Sequence, residues 1–514
     1  GGEAGKGGTT SAPFSSGTQN VAIGYGAFDA FTTGNYNVTV GVSAGGGLTV
    51  GNENVAIGQE ALLSATGTLS TVVIGMQAGY NINSTDANRT VLIGYTAGRS
   101  LTSGQGNVAI GSEALRAEDD GDFNTAIGYN ALTSQTGYSG EVGNTAIGYK
   151  AGEDVTTGRS LVLVGYNAGY NVTSPQSCVF IGSNAGYGTA TNINSVVAIG
   201  QAAYYGNKGD QSGTSGGVFI GYAAGYSTSR SSGSVMIGYE AGRTNLYDNY
   251  ITAVGYQAYR GSDSLHSTST GTTAIGYRAA AEGASEGGFD YNVFVGSFAG
   301  ENATAPDYSV GVGAYALQNA GKNGNYVTAV GYEAARYATG SNNSFFGYQA
   351  GKGGTTSAPF SSGEKNTAVG YQALDAFTTG YENTAVGEQA LSGLTTGYEN
   401  VGIGTEAARY LTTGAWNVSI GMNSGPAAMG SRIVAIGELA GRYNKGVGNV
   451  HIGYRAGFQV SGSHNITIGH QAGYGGTSSA PYSTGTNNIG IGQSAISGFT
   501  TGYQNIAVGY QAGL

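Results

Sequence analysis

The chain has little of what most enzymes and membrane proteins are built from. It carries one cysteine in 514 residues, so no internal disulfide can staple it and a small disulfide-framed fold is excluded. Only 10% of residues are charged and the balance is acidic at −10, which leaves no basic footprint for nucleic acid or an anionic membrane surface. Six prolines and the lack of a Gly-X-Y triplet exclude collagen, although there are 96 glycines. No apolar run is long enough to span a bilayer as a helix. The four histidines, His266, His451, His464 and His470, lack metal-ligand spacing, and no cofactor motif is found. Paired carboxylates of the kind that hydrolyse glycosides are also missing, because Glu113, Glu333, Glu388 and Glu438 stand alone in their repeat units. The chain therefore reads as no enzyme.

What is present is one phrase, Asn-x-Ala-Ile-Gly-Tyr-x-Ala-Gly, as at Asn144 to Gly152, rewritten about every seventeen residues. Aligned on its central glycine (Gly24, Gly41, Gly58, Gly75 and onward to Gly509) it gives 28 units. A period this regular points to a single continuous array over 1–514, a solenoid rather than two to four globular domains. Gly1, Ala4 and Gly5 align with Gly347, Ala350 and Gly351, so the array reads as a segment of a longer fibre.

One unit can be read physically. Val, Thr, Ile or Ser stands three residues before the glycine, and Ile or Val immediately before it in every unit but one, where it is Phe346. β-branched residues at i and i+2 between Asn and Gly are a short strand of about five residues. The residue before the glycine is expected to be core: Ile23, Ile57, Ile110, Ile127, Ile147, Ile199, Val369 and Val386. The residue between the pair is also mostly apolar (Ala126, Phe180, Phe219, Phe294), so both strand faces want cover. This face is expected to meet another chain or a second layer of its own coil. Ala follows the glycine by three in every unit except Ser424. The recurrent Thr-Thr-Gly, as at Thr378 to Gly380, is a turn whose glycine is expected to supply a left-handed conformation. The fold class is thus all-β, a parallel β-solenoid of about 28 coils with a period of about seventeen, roughly 135 Å long at the ~4.8 Å strand spacing.

The phrases Val21 to Ala27 and Val108 to Ala114 resemble the repeats in the head domains of trimeric autotransporter adhesins. Asn124 to Ala131 and Asn366 to Ala373 are similar to repeats of tail-fibre-like proteins of viruses and bacteria. The resemblance implies a left-handed β-roll wound as a homotrimer, with a head-to-tail filament as the other assembly. It also implies an extracellular place, on a cell surface or a virion. The coils are longer than the usual adhesin repeat, and neither heptad stalk nor membrane anchor is present.

Sixteen units place Asn four residues before the glycine, among them Asn366, Asn383, Asn400 and Asn417 in succession, and stacked amides are read as a hydrogen-bonded ladder. Tyrosine follows the glycine in fourteen units and would stack into a strip, suited to packing or to a sugar face. Glu118, Asp119, Asp120 and Asp122 form the one acidic cluster; without EF-hand spacing it reads as a solvated turn. Long inserts at 5–17, 351–363 and 473–485 share nearly one sequence and are expected to project outward, with Phe14, Phe360 and Tyr482 as contact residues. The functional expectation is a structural fibre or adhesin shaft whose loops touch a glycan or cell-surface receptor. The alternatives are a carbohydrate-binding or carbohydrate-processing tailspike-like solenoid and an ice-binding one.

Overall fold

The computed structural model describes all residues except 10–13, 137–138, 189–190, 207–213, 229–230, 245–247, 262–268, 283–288, 305, 322–324, 355–359, 476–482 and 514. The chain is a parallel β-solenoid with a period of about seventeen residues, all-β and without helix among the described residues. It forms two compact units, Gly1–Ile251 and Thr252–Leu514. Among the described residues the first stacks thirteen three-residue strands, from Val21–Ile23 to Val235–Ile237, and the second fifteen, from Thr252–Val254 to Ile506–Val508. Within each unit every strand pairs in parallel with the next coil's, in strict register: Val55, Ala56 and Ile57 face Val72, Val73 and Ile74.

The strands are shorter than expected because both ends are broken by chemistry. At one end the asparagine amide replaces the next strand hydrogen bond. At the other the central glycine adopts a φ of +125 to +143° in coil after coil, a backbone that L side chains rarely take. Space forbids a side chain there too. A Cβ on Gly58 would lie 2.6 Å from the carbonyl oxygen of Gly75 in the next coil. The chain then turns through left-handed corners occupied by ordinary residues, such as Glu60 and Leu62 at φ 56° and 55°. These corners are tied coil to coil by backbone bonds, Glu60 N–H to Val42 O at 2.9 Å and Leu62 N–H to Ala78 O at 3.0 Å. The glycine of Thr-Thr-Gly is not among the left-handed residues, which corrects the expectation. Gly34 and Gly380 are needed instead because a Cβ would lie 2.5–2.6 Å from the carbonyl of the glycine one coil on.

The core is the other main correction. The middle strand residue points into the coil, and Ala126, Phe180, Phe219 and Phe294 are fully buried within their own chain. The β-branched pair points outward: Ile57, Ile110, Ile127, Ile199 and Val386 are half-buried, Ile147 and Val369 are 39% and 38% exposed, and Ile23 is exposed. A coil this small has an interior one side chain thick, which the middle residue, the recurrent Ala and the residue after it fill together. Their volumes compensate. Where the middle residue is large, the residue six further on is glycine: Phe180 with Gly186, Phe294 with Gly300, Leu92 with Gly98. A Cβ on Gly186 or Gly300 would meet the phenyl ring at 2.5 Å. Where the middle residue is Ala, a buried Leu, Phe or Tyr commonly stands at that place, as in Ala126 with Leu132, Ala22 with Phe28 and Ala198 with Tyr204. Ala146 with Gly152, Ala435 with Gly441 and Ala507 with Gly513 depart from the rule, and at Gly152 Leu132 and Leu163 from the adjacent coils reach into the gap.

Candidate functional site

The asparagines lie buried at the strand entrance. Asn383 Nδ2 donates to Asn366 Oδ1 at 3.0 Å, Asn400 to Asn383 at 3.0 Å and Asn417 to Asn400 at 2.8 Å. Each amide also donates across its own coil, Asn383 Nδ2 to Gly397 O at 2.9 Å, and each Oδ1 accepts the next Asn backbone N–H. In this run every polar atom of the amide is thereby used inside the stack, which leaves none for a ligand; at Asn124 the Nδ2 is buried without a hydrogen-bond partner. Cys178 occupies the same slot; burial pushes its thiol up, and Sγ donates to the Gln176 carbonyl at 3.2 Å.

Three surfaces remain. The first is the outward face of the strands, where Val, Thr and Ile repeat two per coil in register through each unit, apart from Ser344 and Phe346 in the second. The second is aromatic. Tyr129, Tyr149 and Tyr166 stack at 5.5 and 5.1 Å, Tyr222 with Tyr239 at 5.0 Å and Tyr256 with Tyr277 at 5.2 Å. A further strip, five residues after the glycine, was missed by sequence reasoning: Tyr170, Tyr187, Tyr205 and Tyr226 stack at 5.2, 4.8 and 4.8 Å. Its signal was tyrosine recurring at that offset in four successive units. Because the rings lie face to face along the stack, their faces are covered and only edges and hydroxyls look outward, so a sugar has no free ring face within a strip. The third surface is a groove of about 250 Å³ beside the insert at 351–363, lined by Ser362, Gly363, Glu364, Lys365, Thr379 and Tyr381.

The insert residues differ among themselves. Phe14 is 68% exposed, Phe360 is half-buried with its ring 5.9 Å from that of Tyr337, and Tyr482 lies outside the described residues. The threonine rows are engaged inward: Thr378, Thr395 and Thr412 each donate their hydroxyl to a carbonyl of the following coil at 2.8–3.1 Å.

Several of the ionisable residues sit in ion pairs. Glu113 pairs with Arg116 at 2.9 Å, and Glu333 with Lys352 at 2.8 Å and with Arg336. Burial works to raise Glu333, but Lys352, Gln349 and Arg336 outweigh it and hold the carboxyl below its ordinary value. Burial pushes Asp375 up to about 6, against the pull of its own backbone N–H, Lys352 and Arg409. His451 takes a middle-strand slot inside the coil, where burial pushes it down to about 3. Its Nε2 lies 2.5 Å from Asn444 Nδ2 and its Nδ1 2.7 Å from Thr467 Oγ1. His464 and His470 are outside the core, His470 stacked on Tyr454 at 5.1 Å, and His266 lies outside the described residues. Glu118, Asp119 and Asp120 bring carboxylate oxygens together at one turn, while Asp122 Oδ1 accepts the Gln105 N–H at 2.8 Å. No helix among the described residues is long and apolar enough to cross a membrane.

No protein-family model matches the chain, and comparison with curated proteins gives no match.

Proposed function

We propose that the chain is a structural segment of an extracellular fibre or adhesin shaft. It works as a homotrimer of the kind its repeats resemble in adhesin heads, with the outer loops making contact to a glycan or cell surface. The observation that carries this reading is the outward Val/Ile/Thr face. Fifteen strands in register at ~4.8 Å make it about 70 Å long in the second unit, two side chains wide. Monomers seldom expose contiguous apolar patches above a few hundred Å². Three copies, each turning this face to a common axis, would bury it and leave the loops outside. The groove beside the insert at 351–363, with Tyr381, Lys365 and Glu364 at its wall, offers polar contacts, repeated by symmetry so that avidity makes up for weak single sites.

Light scattering tests the assembly. A particle near three times 51.5 kDa is expected, and one near 51.5 kDa sinks the trimer. Ile127→Asp places a charge on the outward face, not in the coil. The variant should therefore keep its β-sheet circular dichroism while losing the trimer, and loss of the fold itself would count against this use of the face.

A further inference from the structure

We propose that the groove beside the insert at 351–363 takes one neutral, galactose-type sugar ring on the face of Tyr381, an inference that rests on the reading of the outer loops as glycan contacts. Inside a tyrosine strip the ring faces are covered, but the first ring of a strip keeps one face free. Tyr381 is such a ring. It stacks on Tyr398 of the following coil at 4.9 Å, with the planes 3° apart. One backbone bond recurs from coil to coil here, Glu399 N–H to Tyr381 O at 3.0 Å and Glu382 N–H to Glu364 O at 2.9 Å. Glu364 therefore holds the place that a preceding tyrosine would take. Among the described residues no second ring stacks on Tyr381, and its half-exposed side chain forms one wall of the groove.

The rest of the wall is polar, with Ser362, Glu364, Lys365 and Thr379. Pockets of ~300–1,000 Å³ hold drug-sized ligands, so this groove of about 250 Å³ has room for a single sugar ring. An aromatic face carries partial negative charge and attracts C–H hydrogens. A galactose-type ring gathers its C–H groups on one side and turns hydroxyls to the other, which matches an aromatic wall beside a carboxylate. Glu364 is exposed and makes no ion pair among the described residues, so its oxygens are free to accept sugar hydroxyls in charge-assisted bonds. Lys365 is held by Glu382 at 2.8 Å, which leaves the local charge negative and disfavours acidic sugars. The three inserts separate the two features. After 5–17 the place of the tyrosine is taken by Asn35, whose Oδ1 accepts the Thr18 N–H at 2.7 Å and its hydroxyl at 3.1 Å. After 473–485 the ring returns as Tyr503, but Thr486 stands where Glu364 does. Only the middle insert brings ring and acid together.

With one stacked ring and a side open to water, a Kd of about 1–10 mM is expected for a single sugar. Saturation-transfer NMR of the full chain with methyl β-galactopyranoside should show saturable binding in that range, with the strongest transfer to the hydrogens of the C–H side. Methyl β-glucopyranoside should bind at least threefold more weakly. Tyr381→Asn installs the residue found after the first insert, and Glu364→Thr the one found after both others. Each should keep the parent's melting temperature, while the first weakens binding at least tenfold and the second at least threefold. Tyr149→Ala removes a ring from the middle of a strip, where both faces are covered, and should leave binding unchanged. The proposal is overturned by absence of saturable binding up to about 50 mM, by equal binding of the two sugars, or by intact binding in Tyr381→Asn. The groove lies within one chain, so a monomer in light scattering would sink the trimer and leave the sugar site standing. A trimer that binds no sugar would sink the site and leave the shaft.

Discussion

The central glycine meets two demands at once, a φ near +130° and a carbonyl one coil away that leaves no room for a methyl group. Gly58→Ala should therefore cost about 3 kcal/mol or more, and thermal unfolding compared with an exposed-loop Gly→Ala control will measure it. His451 is a second residue whose placement has a readable consequence. Folded, it stays neutral down to about 3, whereas unfolded it takes up a proton near its ordinary value of 6.5. Below 6.5 the unfolded chain then binds more protons, so stability falls as pH drops from 6.5 toward 3, by up to about 1.4 kcal/mol per pH unit from this group. Phenylalanine suits the slot because Gly457 stands six residues on, as Gly186 does for Phe180. His451→Phe should flatten that slope in melting curves taken between pH 6.5 and 4. At neutral pH it should lower stability somewhat, since Asn444 and Thr467 lose their imidazole partner.

At the scale of the coil, the compensation between the middle strand residue and the residue six further on is the packing rule. Ala126→Phe should overfill the coil and destabilise it by about 1–3 kcal/mol. Leu132→Gly alone should leave a void costing about 2–5 kcal/mol. The double variant recreates the Phe180 and Gly186 pairing and should recover most of the loss, which a double-mutant cycle of unfolding free energies will show. The same pairing explains what could be read in advance and what could not. The strand, the Asn slot and the glycine were legible because each recurs at a fixed offset. Which strand face is inside was not, because Ile127 and Ala126 are both apolar and an alternation of two cannot choose between two apolar faces. The deciding signal lay six residues away, in glycine appearing wherever Phe or Leu takes the middle position. The Thr-Thr-Gly turn misled for a related reason: a glycine kept for close approach looks in sequence like one kept for its backbone angle. The acidic turn was visible as a cluster, but its buried member emerges only once Glu118 is aligned with Leu48 and Leu101.

For the whole molecule, each coil is held almost entirely by the coils next to it: Asn383 bonds to Asn366 and Asn400 to Asn383, and Gly58 N–H to Val40 O at 2.8 Å. Stability in each unit is thus close to a sum of coil and neighbour terms, and inserts such as 351–363 can be added without disturbing coils further along. Neighbour-only bonding also decides how a unit bears load. The bonds between coils run along the stacking direction, so tension applied that way meets one layer at a time. A released coil of about seventeen residues pays out about 55–60 Å of chain while the layers behind it stay shut. A tethered surface would feel a brake that yields in equal lengths and re-forms when slack, where a globular linker would give way in one event.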